Sequence, residues 1–407
     1  MTATASRRAA SDTNPPGSPV TTYYLLAVAT TLLVLIGLAV VLSASSVTAL
    51  KFDSAGSPFR LFTSQAIALG LGLTALVVGS RVSVALWKRA APLVLYASMV
   101  LLVLVVFIGE AVGGNQNWIM IGPMSFQPSE LAKLGLALYL GVVLSKFRKE
   151  LTTLKGILVP GGIMAAAVIA LVMLGHDLGT TLVMGLMVAA SFWVAGAPKR
   201  FFLVAAIAGV VLVASALTVG DSRGARIDAW LNPDTADPAG VGMQALHARW
   251  ALASGGLWGL GPGMSREKWG YLPVADSDFA FAIIGEEYGL IGALMVLIAF
   301  GILAVAVNRL VQRHHDPFVQ IASAGIGAWL VGQACINIAV VVGLLPVTGV
   351  PLPFISSGGS SLIVSLAAIG VLMAFARHEP GAEAAFAARP SMLRRSIAVV
   401  SKGRRRG

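Results

Sequence analysis

The sequence predicts an all-α polytopic membrane protein of about ten transmembrane helices, with both termini cytoplasmic and one large extracytoplasmic loop between the seventh and eighth. Three observations predict it. The 407 residues are 57% hydrophobic and only 12% charged, a composition that polar surface cannot cover in water. Apolar runs long enough to span a bilayer recur along the chain. Most of the 29 Lys and Arg residues fall in alternate connections between those runs, as positive-inside topology requires.

The segment 1–22 is polar and rich in Pro and Ser, and reads as a disordered cytoplasmic tail. The apolar stretch after it is too long for a signal-peptide core and reads as a first span that stays. Apolar runs then fall near 23–46, 62–79, 91–112, 129–145, 156–174, 178–197, 201–219, 279–306, 318–345 and 360–376. Together, residues 23–376 form the transmembrane domain, with 220–278 as the large outer loop and 377–407 as a basic cytoplasmic tail. Only Gly175-His176-Asp177 separates the fifth run from the sixth.

Charge sets the orientation. Arg7, Arg8, Arg81, Lys88, Arg89, Lys146, Arg148, Lys149, Lys155, Lys199, Arg200, Arg309, Arg313 and the C-terminal cluster all lie on one side. The short loops of the other side hold only Lys51 and Arg60. The formal net charge of +11 is thereby explained by membrane topology, and a nucleic-acid partner is not expected; the basic tail reads as solvated beside anionic lipid. The single cysteine, Cys335, lies in an apolar run and reads as a small hydrophobe.

Four polar stretches interrupt the apolar pattern, and this topology puts all four at the outer face. They are 113–133, with Gln127, Ser129, Glu130 and Lys133; 176–181, with Asp177; the loop 220–278 running into Gly285-Glu286-Glu287; and 346–361, with Ser356, Gly358, Gly359 and Ser360. Irregular backbone at membrane depth is tolerated where it is buried in protein or lines a cavity. Ionisable groups there (Lys133, Asp177, Asp278, Glu286, Glu287) default to function. Two readings stay open for some of them. Pro128-Ser129-Glu130 could be a helix start whose acid faces the dipole, and 356–361 could be small residues packed at a helix start. Asp278, a carboxylate at the mouth of an apolar helix, has no evident structural task.

No Walker A pattern, dinucleotide fingerprint or Cys/His metal cluster is present. An outer face without ATP must draw energy from its own substrate or a gradient. A lipid-diphosphate sugar meets that condition: a sugar hydroxyl attacks the anomeric carbon and the diphosphate leaves. Such chemistry needs a carboxylate to take the hydroxyl proton and cations to hold the diphosphate. Asp278 offers the base. Arg226, Arg249, Arg266, Lys268 and Lys133 offer the positive groups, and Gln244 is a further candidate substrate contact in the loop.

Taken in order, Leu42-Ser-Ala-Ser-Ser46, Phe126-Gln-Pro-Ser-Glu-Leu-Ala-Lys133, Asp177-Leu-Gly-Thr180, Leu272-Pro273 with Asp278-Phe279, Gly285-Glu-Glu287, and Leu352-Pro-Phe-Ile-Ser356 followed by Gly358-Gly-Ser-Ser361 resemble the SEDS family of cell-wall polymerases (FtsW, RodA and relatives). The resemblance runs from the first helix to the tenth. It implies a peptidoglycan glycosyltransferase that extends glycan strands from lipid II and releases undecaprenyl diphosphate. It also implies Asp278 as the catalytic residue, assistance by a divalent cation (magnesium or manganese) without an organic cofactor, and a class B penicillin-binding protein and other divisome proteins as partners. Segments 265–273 and 282–292 look more like the division branch, FtsW, than the elongation branch, which implies the inner membrane at the division septum. The chain departs from the family pattern at Asn117, where an arginine often precedes the tryptophan, and at Ser357, where a tyrosine is common. Asp276 adds a second carboxylate that could couple to Asp278. A lipid II flippase would use the same outer cavity, but needs a cytoplasmic route as well, and no inverted repeat is visible. A membrane scaffold would not require Asp278 or Lys133 in the membrane.

Overall fold

The computed structural model describes residues 18–52, 60–112, 115–121, 124–218, 221–232 and 242–388. Most of the two predicted tails therefore lies outside the described residues. Fourteen α-helices are described: α1 (Thr21–Phe52), α2 (Arg60–Arg81), α3 (Val84–Ile108), α4 (Pro128–Lys146), α5 (Leu154–Ile157), α6 (Ile163–Leu174), α7 (Leu178–Ala195), α8 (Lys199–Thr218), α9 (Asp221–Leu231), α10 (Met243–Gly255), α11 (Ala280–Arg313), α12 (Pro317–Val341), α13 (Gly359–Arg377) and α14 (Ala382–Ala388). Among the described residues, eight are long and apolar enough to cross a membrane: α1–α4, α7 and α11–α13. The predicted run 156–174 is divided between α5, a π-helical turn at Leu158–Gly162 and the shorter α6. The run 201–219 corresponds to α8.

Local chemistry sets the helix ends. Ser83 accepts from the Leu86 amide and starts α3 seven residues before the predicted 91. Its early turns carry Lys88 and Arg89, which the apolar-run criterion cut off, although long basic side chains reach the interface from a helix end. Asp177 caps α7 and Asp316 caps α12, where Pro317 occupies the first turn. Gly196, with φ 94°, ends α7 in the left-handed conformation.

The departure from an all-helical pattern is a small antiparallel sheet of β1 (Glu110–Val112), β2 (Asn115–Ile121) and β3 (Met124–Phe126) in the order β1-β2-β3. Ile119 pairs with Phe126 and Ile121 with Met124. It replaces the predicted end of the third span and leads the chain into α4.

Helix α4 runs through the middle of the bundle, packed against α3, α7 and α12. Its Leu136 and Leu138, which project to opposite sides, are both fully buried. By contrast Leu93, Val100 and Phe107 of α3 and Leu203 and Val210 of α8 are exposed, as lipid-facing side chains would be. One end of the bundle gathers basic groups: Lys88 pairs with Asp316 at 2.6 Å, Arg148 and Arg200 donate to the carbonyls of Ala195 and Thr152, and Arg313 lies 3.6 Å from Glu379. Tyr23 stacks edge-on with Phe386 there, so both described chain ends share that end. The described parts of the four polar stretches gather at the opposite end, where Asn117 and Gln127 bond Asp177, Gln127 N bonds Ser360, and Ser356 bonds Ser277 O.

Candidate active site

The site is built around a broken helix. In α11, Gly289 adopts φ 64° and ψ −161°, dividing a stub, 280–288, from the longer remainder. A side chain at Gly289 would come within 2.5 Å of the Gly259 amide, so the position requires glycine for both conformation and space. The carbonyls freed by the break are bonded by the segment after α10: Leu260 N donates to Glu286 O and Gly261 N to Glu287 O. Backbone broken at membrane depth is thus repaired by protein.

Two carboxylates on the stub anchor the end of the large loop. Glu286 accepts from Ser265 Oγ at 2.5 Å and Arg266 N at 2.9 Å. Glu287 accepts from Lys268 Nζ at 2.9 Å and Ser43 Oγ at 2.5 Å. Lys268 also donates to Ser43 Oγ and Gly263 O, and is buried. The loop therefore returns to Asp276-Ser277-Asp278 from a fixed point. His247 pairs with Glu267 at 2.6 Å and ties α10 to the same segment.

Asp278 precedes the stub and faces the connection from α12 to α13. Ser356 Oγ donates to Ser277 O at 2.5 Å and accepts from Leu352 N. Ser357 donates through its amide to Asp276 O and through its hydroxyl to Asp276 Oδ2, both at 2.8 Å. The Asp278 side chain receives one longer bond, from Ser277 Oγ at 3.2 Å, and is half-buried. Burial pushes its carboxyl up to about 6; the Ser277 hydroxyl and the Arg226 guanidinium pull downward, while the Asp276 charge pushes upward. At the end of α12, Trp230 of α9 donates to Gly343 O at 3.0 Å, and the Arg249 guanidinium lies close to Gly343 with a buried Nε lacking a partner.

The three non-glycine residues with positive φ among the described residues, His176 (61°), Val274 (56°) and Phe354 (67°), all lie in these loops. For a β-branched residue such as Val274 this is a strained conformation, and strain of this kind collects at functional sites.

The model of the FtsW, RodA and SpoVE family, described as "Cell cycle protein", matches residues 23–380. The chain belongs to this family. "Probable peptidoglycan glycosyltransferase FtsW" of Mycobacterium tuberculosis is 42% identical over 375 residues, 91% of this chain and 71% of that protein. "Stage V sporulation protein E" of Bacillus subtilis is 37% identical over 358 residues, 87% and 96% of the two chains. A structure described as "Structural coordination of polymerization and crosslinking by a peptidoglycan synthase complex" superposes with TM-score 0.69 at 28% identity, covering 88% of this chain and 98% of that one. The crystal structure of Thermus thermophilus Rod shape determining protein RodA gives TM-score 0.63 at 28% identity, covering 86% and 96%.

In this FtsW/RodA/SpoVE chain the sequence-predicted residues divide by environment. Lys133, 1% exposed, pairs with Glu130 at 2.9 Å, donates to Gln333 Oε1 at 2.8 Å and lies over the Trp329 ring. Asp177 accepts from Thr180 N and Oγ1, Asn117 Nδ2 and Gln127 Nε2, which joins β2 and the entry to α4 onto α7. Asn117, at the departure from the family pattern, thus supplies an amide to that carboxylate. Ser360 Oγ accepts from Gln127 N, and Gly358 N donates to Gln65 Oε1. Ser129 Oγ and Glu130 Oε2 are buried without partners. No side chain caps α13 at Gly358-Gly359. Gln244 on α10 and Arg226 on α9 are half-buried. Sequence reasoning missed Gln65, Gln333 and Asn337, isolated amides inside spans. The rule that polar groups in a span are costly could have found all three, had it been applied to amides as well as charges.

Proposed function

We propose that this chain is a peptidoglycan glycosyltransferase that polymerises lipid II on the outer face of the cytoplasmic membrane and releases undecaprenyl diphosphate. Asp278 carries the reading: its side chain receives a single long bond, its acidity is displaced toward neutrality, and it stands at the mouth of a broken helix. A base that titrates near the working pH is both deprotonated and able to take a proton. In the reaction the acceptor hydroxyl attacks the anomeric carbon and its proton passes to Asp278. The bond from that carbon to the diphosphate oxygen breaks, and the lipid diphosphate leaves with the electron pair. Arg226 and Arg249 are suited to the diphosphate, with the uncapped amides at the start of α13 as further anion donors. Gln244, Ser356, Gly358, Gly359 and Ser360 line the approach. Lys133, Glu130, Gln127, Ser129, Asp177 and Lys268 support it from beneath through the bonds described above.

Among the described residues no three His, Cys, Asp or Glu side chains converge. A divalent cation such as magnesium or manganese is commonly held by one or two carboxylates and substrate phosphates, and Asp276 with Asp278 fit that pattern. Such an ion would neutralise charge on the departing diphosphate.

The relatives' names support peptidoglycan synthesis, and the likeness to a synthase complex that coordinates polymerization and crosslinking supports a crosslinking partner; we extend this to septal wall synthesis beside a class B penicillin-binding protein and other divisome proteins. The test is strand synthesis from labelled lipid II by the purified protein with its cognate transpeptidase, whose own active site is blocked. A ladder of glycan chains is expected from wild type and none from Asp278→Asn. A ladder that survives the substitution moves the base to another group, Asp276 first. No ladder from folded, partner-bound wild type favours a flippase.

A further inference from the structure

Helix α12 carries an amide at every fourth position toward its site end. Trp329, Gln333 and Asn337 lie four residues apart and so share one face. Asn337 is 2% exposed and its Nδ2 donates twice, to Asp278 O at 2.7 Å and Val350 O at 2.8 Å. Both partners are carbonyl oxygens, so only one orientation of the amide is possible. Asn337 Oδ1 is then left buried without a partner, a cost that a simple filler residue would not carry. One turn back, Gln333 Nε2 donates to Pro351 O at 2.8 Å, while its Oε1 accepts from Lys133 Nζ at 2.8 Å and Trp329 Nε1 at 3.0 Å. The two donor patterns fix the Gln333 amide as well.

The two amides therefore join three pieces of chain that are distant in sequence: Lys133 on α4, Val350-Pro351 between α12 and α13, and the backbone of Asp278. The other restraints on this loop attach at Asp276 and Ser277, through Ser357 and Ser356. Asn337 holds Asp278 itself.

We infer that Asn337 and Gln333 are positioning residues that fix the Asp278 backbone against the Val350-Pro351 segment, and through Gln333 transmit the placement of Lys133 to the catalytic carboxylate. This rests on Asp278 being the base of the proposed reaction. Neither amide touches the reacting atoms. Losing Asn337 releases the residue that carries the base while leaving the diphosphate-binding groups in place. Misplacement of about 1 Å in a reacting group can cost about 100-fold in rate.

The test is steady-state strand synthesis from labelled lipid II by the full chain with its transpeptidase, for wild type, Asn337→Ala, Gln333→Glu and Asp278→Asn. Asn337→Ala should lower kcat by about 100-fold with KM within about twofold. The fall should persist when kcat is divided by the folded fraction of each variant, measured by size-exclusion chromatography and thermal unfolding in detergent. Gln333→Glu keeps the acceptor for Lys133 and Trp329 but loses the donor to Pro351, and should lower kcat by about tenfold. Partial misfolding lowers kcat per total protein at constant KM, so rates divided by the folded fraction of each variant separate misplacement from misfolding. Wild-type kcat in Asn337→Ala, or a fall in rate that disappears on normalising to folded protein, overturns the inference. Activity in Asp278→Asn instead overturns the assignment of the base, which separates the two failures.

Discussion

Two acidic pairs lie within a dozen residues of each other at the start of α11, and their surroundings are opposite. Glu286 and Glu287 are each 1% exposed and are met by Ser265, Lys268, Ser43 and backbone amides. Asp278 is more open, receives one long hydroxyl bond, and has Asp276 as a like-charged neighbour. Sequence alone reads Asp278, Glu286 and Glu287 alike as costly charges near the membrane, with Asp276 as a neighbour that could couple to Asp278. The difference between them is one of satisfaction. A buried carboxylate held by a lysine or by several protein donors has little left to offer a substrate, even where one oxygen, Glu287 Oε2, lacks a partner, whereas one held mainly by its backbone retains its basicity. The first pair fastens the loop, and the second is where chemistry is expected.

Substitutions should separate the pairs. The largest effect on activity is expected at Asp278→Asn, a loss of about 10²–10⁴-fold in strand synthesis, with the fold intact. Its stability follows from the pKa. The folded value lies above the usual aspartate value, so the ionised form is disfavoured in the fold at every pH above about 6, and removing that charge should leave Tm unchanged or higher in a thermal scan at pH 7.5. The reverse profile is expected at Lys268→Ala, which strands Glu287 as an unpaired buried charge. It should cost about 3–5 kcal/mol of stability, seen as a large fall in Tm. If Lys268→Ala keeps its Tm and loses only activity, the division between anchor and chemistry fails.

Asp177 sharpens the comparison because its four side-chain bonds place it with the anchors. Asp177→Ala removes a helix cap and leaves the Asn117 and Gln127 amides without their partner, at about 1–3 kcal/mol, measurable by chemical or thermal unfolding in detergent. The smallest effect is expected at Val274→Gly. Relief of the positive φ should stabilise by about 1 kcal/mol, while greater freedom four residues before Asp278 lowers the rate.

The membrane-embedded architecture was legible because apolar run length and loop charge are local properties of the sequence. Asp278 was legible for a similar reason: a carboxylate at the mouth of a span is visible without knowing its neighbours. Lys268 was not, because its partner Glu287 sits across the loop and nothing local announces the pair, so it read as a free cation. Asn337 and Gln333 were hidden inside a strongly apolar run. The three strands between Glu110 and Phe126 were hidden because their apolar residues continue the run of the third span past Ile108. Pairings and satisfaction are tertiary properties, and they decide which charge anchors and which reacts.

The most direct test of that claim is the pH dependence of the initial rate of strand synthesis, for wild type beside Asp276→Asn. With Asp278 as the base, the wild-type rate should rise about tenfold per pH unit and level off above about 6. Removing the Asp276 charge should move that limb to lower pH, because that charge now pushes Asp278 upward. A limb abolished by Asp276→Asn, or a wild-type rate that does not change between pH 5 and 7, would contradict the account.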